Sequence, residues 1–251
     1  MHPILIDFGK IHVYSWGFML AIAIIVAIIG IGKLFAKEGY NQEDILDIVI
    51  ATVLFGLLGA RLAFVLVYQW QDFLANPAMM FSFKNGGFSG LIWYGAFVGG
   101  FGAFLVCLWK KKLPFWNVAD MFAPFLALGY AIVRVGCFLN GCCYGRVTES
   151  AIGVVFPYVD TFARYPTQLF STGLNLLLFF FLLWYYPRRR FSGQVFIYYL
   201  IGYSVYRFIV EYFRETEIMY GILTLGQVYT LGLFGIALLL YFWRKKNLTK
   251  R

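Results

Sequence analysis

Apolar residues run almost unbroken for about 20 positions at a time, seven times along the chain, with polar and basic residues gathered between the runs. About 20 residues is what an α-helix needs to cross the hydrocarbon of a bilayer. The expected spans are about 13–35, 46–68, 89–109, 118–141, 167–186, 193–213 and 223–243. Residues 69–88 and 142–166 are the longest connections, and they hold polar groups and turn residues such as the NGG at 85–87. Short helices or strands at the membrane surface would suit them. The pattern therefore predicts an all-α integral membrane protein with seven transmembrane helices, forming a single multi-span domain over residues 1–251. Small extracytoplasmic segments follow spans two and four. The N-terminal MHPILIDFGKIHVYSWG lacks a basic stretch followed by a small-residue cleavage site, so the first run is expected to stay as an anchor.

Composition sharpens this picture. The chain is 61% hydrophobic and only 13% charged, against about 25% charged in soluble domains, which excludes a soluble globule. The formal charge of +9 alone would suggest an acidic partner, but its placement says otherwise. Thirteen Lys and Arg fall on alternate connections: Lys33, Lys37, Lys110–Lys112, Arg188–Arg190, Arg244, Lys245, Lys246, Lys250 and Arg251. Five fall on the opposite side: Lys10, Lys84, Arg146, Arg164 and Arg214. By the positive-inside rule the N-terminus lies outside and the C-terminus in the cytoplasm. The charge is a topology signal aided by anionic membrane lipids, and no nucleic acid is needed to explain it.

Three arginines, Arg61, Arg134 and Arg207, remain within or at the ends of spans. A charge near a helix centre costs at least about 2.5–3.5 kcal/mol on insertion scales, so each needs a polar cavity, a carboxylate or a lipid phosphate. On span six, Tyr203, Arg207, Glu211 and Arg214 fall on one helical face. Arg207 and Glu211 are spaced to pair, either as a structural ion pair or as part of a site where surplus positive charge receives an anion. On span four, Tyr130, Arg134, Cys137 and Gly141 share a face. Asn140 and Gly145 follow in NGCCYGR, where the glycines serve helix packing, a turn, or close approach of a ligand. Arg61 on span two is placed to snorkel toward the outer interface. Tyr94, among the glycines of span three, is placed as an interfacial aromatic.

The four cysteines, Cys107, Cys137, Cys142 and Cys143, include no CxxC pair, and neither histidine sits at metal-ligand spacing. No metal and no cofactor are expected, and small packing residues are the favoured reading. A disulfide among Cys137, Cys142 and Cys143 stays open. Three function classes fit these residues: an enzyme acting on a lipid phosphate, a thiol-redox membrane enzyme, and a lipid or anion transporter. A transporter is disfavoured, since matched repeats with broken helices are not evident and most intramembrane charge lies toward the outer helix ends.

Several stretches together resemble the bacterial phosphatidylglycerol–prolipoprotein diacylglyceryl transferase family over nearly the whole chain: WGFMLAIA at 16–23, GARLAFVLVYQWQDFLANP at 59–77, NGGFSGLIWYGAFVGG at 85–100, RVGCFLNGCCYGR at 134–146, RYPTQLF at 164–170, GYSVYRFIVEYFRE at 202–215 and LTLGQVYT at 223–230. The resemblance implies a bacterial inner-membrane enzyme with its site at the outer leaflet. It would move the diacylglyceryl group of phosphatidylglycerol onto the lipobox cysteine thiol of a prolipoprotein, releasing glycerol phosphate. By motif position it implies catalytic roles for Arg134, Arg207 and Glu211, and Tyr94, helped by a nearby arginine, is the candidate to take the thiol proton. Arg134, Asn140, Gly145, Tyr203, Arg61, Cys137 and Arg214 would contact substrate. Tyr94 stands where many members carry a histidine proposed as general base, Trp16 where many carry a tyrosine, and Cys137 where the signature usually has asparagine. A CysCys pair follows in place of the usual residues. These departures leave open what activates the thiol, and also admit a divergent paralogue with another acceptor.

Overall fold

The computed structural model describes residues 1–7, 12–77, 90, 92–215 and 219–248. Lys10, Lys84, Lys250, Arg251 and the NGG turn at 85–87 lie outside the described residues. Helices dominate: α1 (Ser15–Lys37), α2 (Glu43–Tyr68), α3 (Trp70–Ala75), α4 (Trp93–Lys110), α5 (Phe115–Asn140), α6 (Thr167–Tyr185), α7 (Gln194–Glu211) and α8 (Leu225–Leu248). Short strands decorate the connections: β1 (Ile4–Asp7), β2 (His12–Tyr14), β3 (Val154–Val155), β4 (Ala163–Arg164), β5 (Met219–Tyr220) and β6 (Leu223–Thr224). β3 pairs antiparallel with β4, and β5 with β6.

Among the described residues, six helices are long and apolar enough to cross a membrane: α1, α2, α4, α5, α6 with its 3-10 extension to Arg188, and α8 to Lys246. The helix expected as span six, α7, has 18 residues but does not join them, because Gln194, Arg207, Glu211 and four tyrosines dilute its apolar character. Side chains such as Leu54, Phe55, Val67, Val98, Leu177 and Leu239 are exposed. In water that surface would aggregate; in a bilayer it is simply the face toward lipid.

The chain divides into two compact units. One comprises Phe8–His12 and Gly32–Phe115, the other Met1–Asp7, Val13–Ile31 and Trp116–Arg251. In the first, α2 and α4 pack backbone to backbone. A Cβ on Gly59 would sit 3.2 Å from the Gly99 Cα, and one on Gly100 would sit 3.1 Å from the Thr52 carbonyl oxygen. Small residues on both helices permit this approach, the usual solution where no hydrophobic force drives helices together. The Ile92 N–H donates to the Ala60 carbonyl at 3.1 Å. Lys111, after α4, binds Asp44 at 2.5 Å and Asp47 at 2.7 Å.

The second unit is built with polar fittings. The fully buried Asp120 carboxylate of α5 accepts the N–H groups of Gly193 at 2.7 Å and Phe196 at 2.9 Å, satisfying donors that the first turn of α7 leaves open. At the start of α8, the Gln227 N–H donates to Thr224 Oγ1 at 3.1 Å, and the Thr224 N–H to Gln227 Oε1 at 3.0 Å. That reciprocal pair is a capping box. Between α5 and α6, Thr172 Oγ1 donates to the Ala131 carbonyl at 3.2 Å.

Candidate active site

The second unit gathers its polar side chains where α5 ends, α7 ends and the connection 142–166 begins. The Arg134 guanidinium donates to the Tyr130 hydroxyl one turn earlier and lies over the Tyr130 ring, 4.7 Å from its centroid. Tyr130 in turn meets Tyr203 edge-on at 6.4 Å and Tyr206 at 6.1 Å, so an aromatic wall joins α5 to α7. One turn beyond Tyr203, Arg207 pairs with Glu211 at 2.8 Å. The Glu211 carboxylate also stands 3.8 Å from Arg214 Nε. Glu211 is 3% exposed, and room for it is made by α8, where a Cβ on Gly226 would come 2.6 Å from Glu211 Oε1.

Charges on the two helices feel one another. Arg134, Arg207 and Glu211 all act electrostatically on the Tyr203 hydroxyl. Burial, then Arg207 and Arg134, lower the proton affinity of Arg214 below the usual arginine value, with Glu211 opposing them. Two guanidiniums, Arg207 and Arg214, thus flank one buried carboxylate, with Arg134 in electrostatic reach of Arg214, and the balance is positive.

The signature stretch turns sharply after α5. Gly141 adopts a left-handed conformation, φ 74°. Its N–H bonds the Phe138 carbonyl at 3.1 Å, and the Cys142 N–H bonds the Cys137 carbonyl at 3.1 Å. This is a Schellman ending, and Gly141 is the residue type it favours. Cys143 is also left-handed, φ 64°, which a side-chain-bearing residue rarely adopts. The first residues of α6 hold the turn: Thr167 Oγ1 donates to the Cys143 carbonyl at 2.8 Å, and Gln168 Nε2 to the Cys142 carbonyl at 2.6 Å. The Asn140 side chain reaches the Cys142 thiol. The sulfurs of Cys137, Cys142 and Cys143 lie within 4.8 Å of one another. Hydrogen bonds with the Cys137 and Cys142 thiols, and then the Arg134 and Arg214 charges, hold the Cys143 thiol below its usual range.

Gly145 has a steric reason to be glycine. Its N–H bonds the Tyr165 carbonyl at 2.8 Å and it bridges to Arg214. A Cβ there would meet Thr167 at 2.8 Å and Tyr165 at 2.9 Å, as well as the Phe213 carbonyl. The strand-like crossing stitches the end of α7 to the connection. Arg164 reinforces it with ion pairs to Asp160 at 2.6 Å and Glu215 at 2.7 Å, and its guanidinium covers the Tyr144 ring.

The structure therefore brings Arg134, Tyr203, Arg207, Glu211, Arg214, Asn140, Gly145 and Cys137 into one unit. Arg61 and Tyr94 belong to the other. Arg61 is buried, with its guanidinium 5.6 Å from the Phe64 ring centroid; a snorkelling head would be exposed. Tyr94 is exposed and packs edge-on against Trp93 at 5.4 Å. Sequence reasoning assigned no role to Thr167, Gln168 or Gly226, although RYPTQLF and LTLGQVYT carry them. The available signal was polar residues at the entry to apolar spans.

Residues 3–243 match the family described as prolipoprotein diacylglyceryl transferase. The chain is 34% identical to phosphatidylglycerol–prolipoprotein diacylglyceryl transferase 2 of Clostridium perfringens (strain 13 / Type A) over 247 residues, 96% of this chain and 94% of the relative. It is 36% identical to phosphatidylglycerol–prolipoprotein diacylglyceryl transferase of Clostridium tetani (strain Massachusetts / E88), over 85% of this chain and 86% of that one. The protein of the same name from Pseudoalteromonas translucida (strain TAC 125) is 31% identical over 99% of this chain and 95% of its own.

Proposed function

The chain belongs to the prolipoprotein diacylglyceryl transferase family, and on that premise we propose how its residues carry out the transfer. The protein is a membrane enzyme that moves the diacylglyceryl group of phosphatidylglycerol to prolipoproteins. The acceptor atom is the lipobox cysteine sulfur, and glycerol phosphate leaves. Seven crossings, α7 among them, put the N-terminus outside and the C-terminus in the cytoplasm, with the site at the outer leaflet of the inner membrane. The alternation of Lys and Arg supports that orientation.

The observation that carries the reading is the pairing of Arg207 and Arg214 with the buried Glu211, with the Arg134 charge acting on Arg214. A phosphodiester in a low-dielectric site needs forked cationic donors, which arginine supplies bidentately. As the glyceryl C–O bond breaks, negative charge grows on the departing phosphate. Guanidiniums already in place stabilise that charge without reorganising. Glu211 keeps Arg207 in position and limits the field. Tyr203 and Arg214 complete the head-group contacts, with Asn140, Gly145 and Cys137 shaping the adjoining turn. A thiol of pKa about 8.5 is a few per cent ionised near neutrality, so a strong base is not demanded. Tyr94 is the residue the sequence nominates to take the proton.

The test is direct. Purified protein is incubated with phosphatidylglycerol vesicles and a lipobox peptide, and the peptide is weighed by mass spectrometry. The expected result is a gain of one diacylglyceryl group on the cysteine peptide and none on the serine peptide. An unmodified cysteine peptide beside a working positive control overturns the reading.

A further inference from the structure

Cys137, Cys142 and Cys143, favoured from the sequence as packing residues with a disulfide left open, have sulfurs that all lie within 4.8 Å of one another. Three thiolates bound tetrahedrally to one ion at about 2.3 Å would have sulfurs about 3.8 Å apart, so small side-chain rotations suffice. The turn that carries them is held from outside. Thr167 and Gln168 clamp the Cys143 and Cys142 carbonyls, and Cys143 is kept left-handed. Gln168 is fully buried, yet its Oε1 has no hydrogen-bond partner among the described residues, so the clamp persists with a polar atom unsatisfied. Cys137 is buried, Cys142 half-buried and Cys143 exposed, which leaves a way in from one side.

From this arrangement we propose that the Cys137–Cys142–Cys143 turn is a binding site for one soft cation of the zinc or copper(I) class, with one coordination position left open. Thiolate sulfur selects such ions over magnesium or calcium. Among the described residues the group comprises three ligands, the number found in zinc sites that keep a position for an exchangeable ligand, whereas structural sites close with four. Arg134 and Arg214 act electrostatically on Cys143 and offset the negative charge that three thiolates around a divalent ion would carry. The incoming ligand is a further thiol, and this part rests on the transferase reading, which supplies a cysteine acceptor. Bound to the ion, the acceptor thiol gives its proton to water, a route that does not draw on Tyr94 as base. Its sulfur then attacks the glyceryl carbon, a C–S bond forms, and the C–O electron pair leaves with glycerol phosphate.

The experiment uses reduced, metal-stripped protein in detergent, titrated with Co²⁺ and followed by sulfur-to-cobalt charge-transfer absorption. One equivalent per chain is expected to give the bands, and Zn²⁺ is expected to displace them. Cys142→Ser/Cys143→Ser is expected to abolish the bands, and Cys107→Ser, in the other unit, to keep them. Exposed Cys143→Ala alone guards against misfolding and is expected to weaken binding at least tenfold. A cysteine lipobox peptide, added without phosphatidylglycerol, is expected to shift the bands, and its serine counterpart to leave them unmoved. Absent bands, bands that survive in the double variant, or a disulfide that persists after reduction overturn the site. Bands unmoved by the cysteine peptide overturn the open position. Neither failure touches the mass assay for transfer, which reads the transferase proposal by itself.

Discussion

The two units use opposite means to hold helices together. In the α2–α4 pair the helices meet through glycine, with backbone nearly touching backbone at Gly59 and Gly99. In the unit that holds α5 to α8 they are joined by bulky and polar groups: the Tyr130, Tyr203 and Tyr206 rings, the Arg207–Glu211 pair and the Asp120 cap on α7. A glycine seam leaves no space between helices and no charge to offer. A seam of arginine and tyrosine costs more to bury but can enclose a charged ligand. The proposed head-group site therefore lies in the unit whose packing is the more expensive.

The sharpest way to break that contrast is Arg207→Ala. Removing a donor aimed at developing charge typically lowers kcat by about 10²–10³, and a loss of that size in the peptide assay is expected. Leaving Glu211 with only the longer Arg214 contact also destabilises the fold, by less than the roughly 3–5 kcal/mol of a fully unpaired buried charge. Arg207→Lys separates the two effects. It keeps the charge and the ion pair but loses the fork, so the protein is expected to stay folded by circular dichroism while transfer remains well below wild type.

A smaller effect is expected from Gly95→Leu in the glycine seam. A Cβ at Gly95 already meets the Gly59 backbone and the Ala63 side chain, so helices α2 and α4 must separate. Overpacking of this kind costs about 1–3 kcal/mol and is read as a lower melting temperature in detergent. Gly102 lies on the same helix with nothing within 4 Å of its would-be Cβ, and Gly102→Ala is expected to leave melting unchanged. Equal effects at the two glycines would show that close backbone approach is not what holds the α2–α4 pair.

Much of this was visible in the chain before any coordinates. The long apolar runs located α1, α2, α4, α5, α6 and α8 to within a few residues, because length and hydropathy are local properties. Helical periodicity likewise set Tyr203, Arg207 and Glu211 on one face of α7. The same side chains that marked a site also made α7 too polar to rank with the other spans. The cysteine turn was not legible. It depends on a left-handed Gly141 and on clamps from Thr167 and Gln168, 24 and 26 residues beyond the carbonyls they hold. Spacing alone could not fold Cys142 and Cys143 back onto Cys137. Gly145 was read as serving packing, a turn or the approach of a ligand, and a three-way crossing with Tyr165, Thr167 and Phe213 requires it. Asp120 drew no attention as one acid in an apolar run, since its partners, Gly193 and Phe196, lie 73 and 76 positions on.

The smallest expected effects come from pH, and they fall on opposite sides for the two units. Asp160, in the unit with the arginine cluster, is held below the usual carboxylate range by its hydrogen bonds from Arg164. A depressed pKa means that the folded state binds its proton more weakly than the unfolded chain. Its contribution is therefore present above the unfolded value near 4 and lost as pH falls through the folded one. Lys111, in the glycine-seam unit, is raised above the usual lysine value by its hydrogen bonds to Asp44 and Asp47. Its contribution is complete below about 10.4, the unfolded value, and is lost as pH rises through the folded one. Melting curves taken across pH in low salt should show the acid limb flattened by Asp160→Asn and the alkaline limb flattened by Lys111→Gln, each variant leaving the opposite limb as it was. The shifts should be small and shrink as salt is added, because exposed pairs contribute little and are screened. A limb that responds to the variant of the other unit would show that the two ion-pair sets do not report on their units separately.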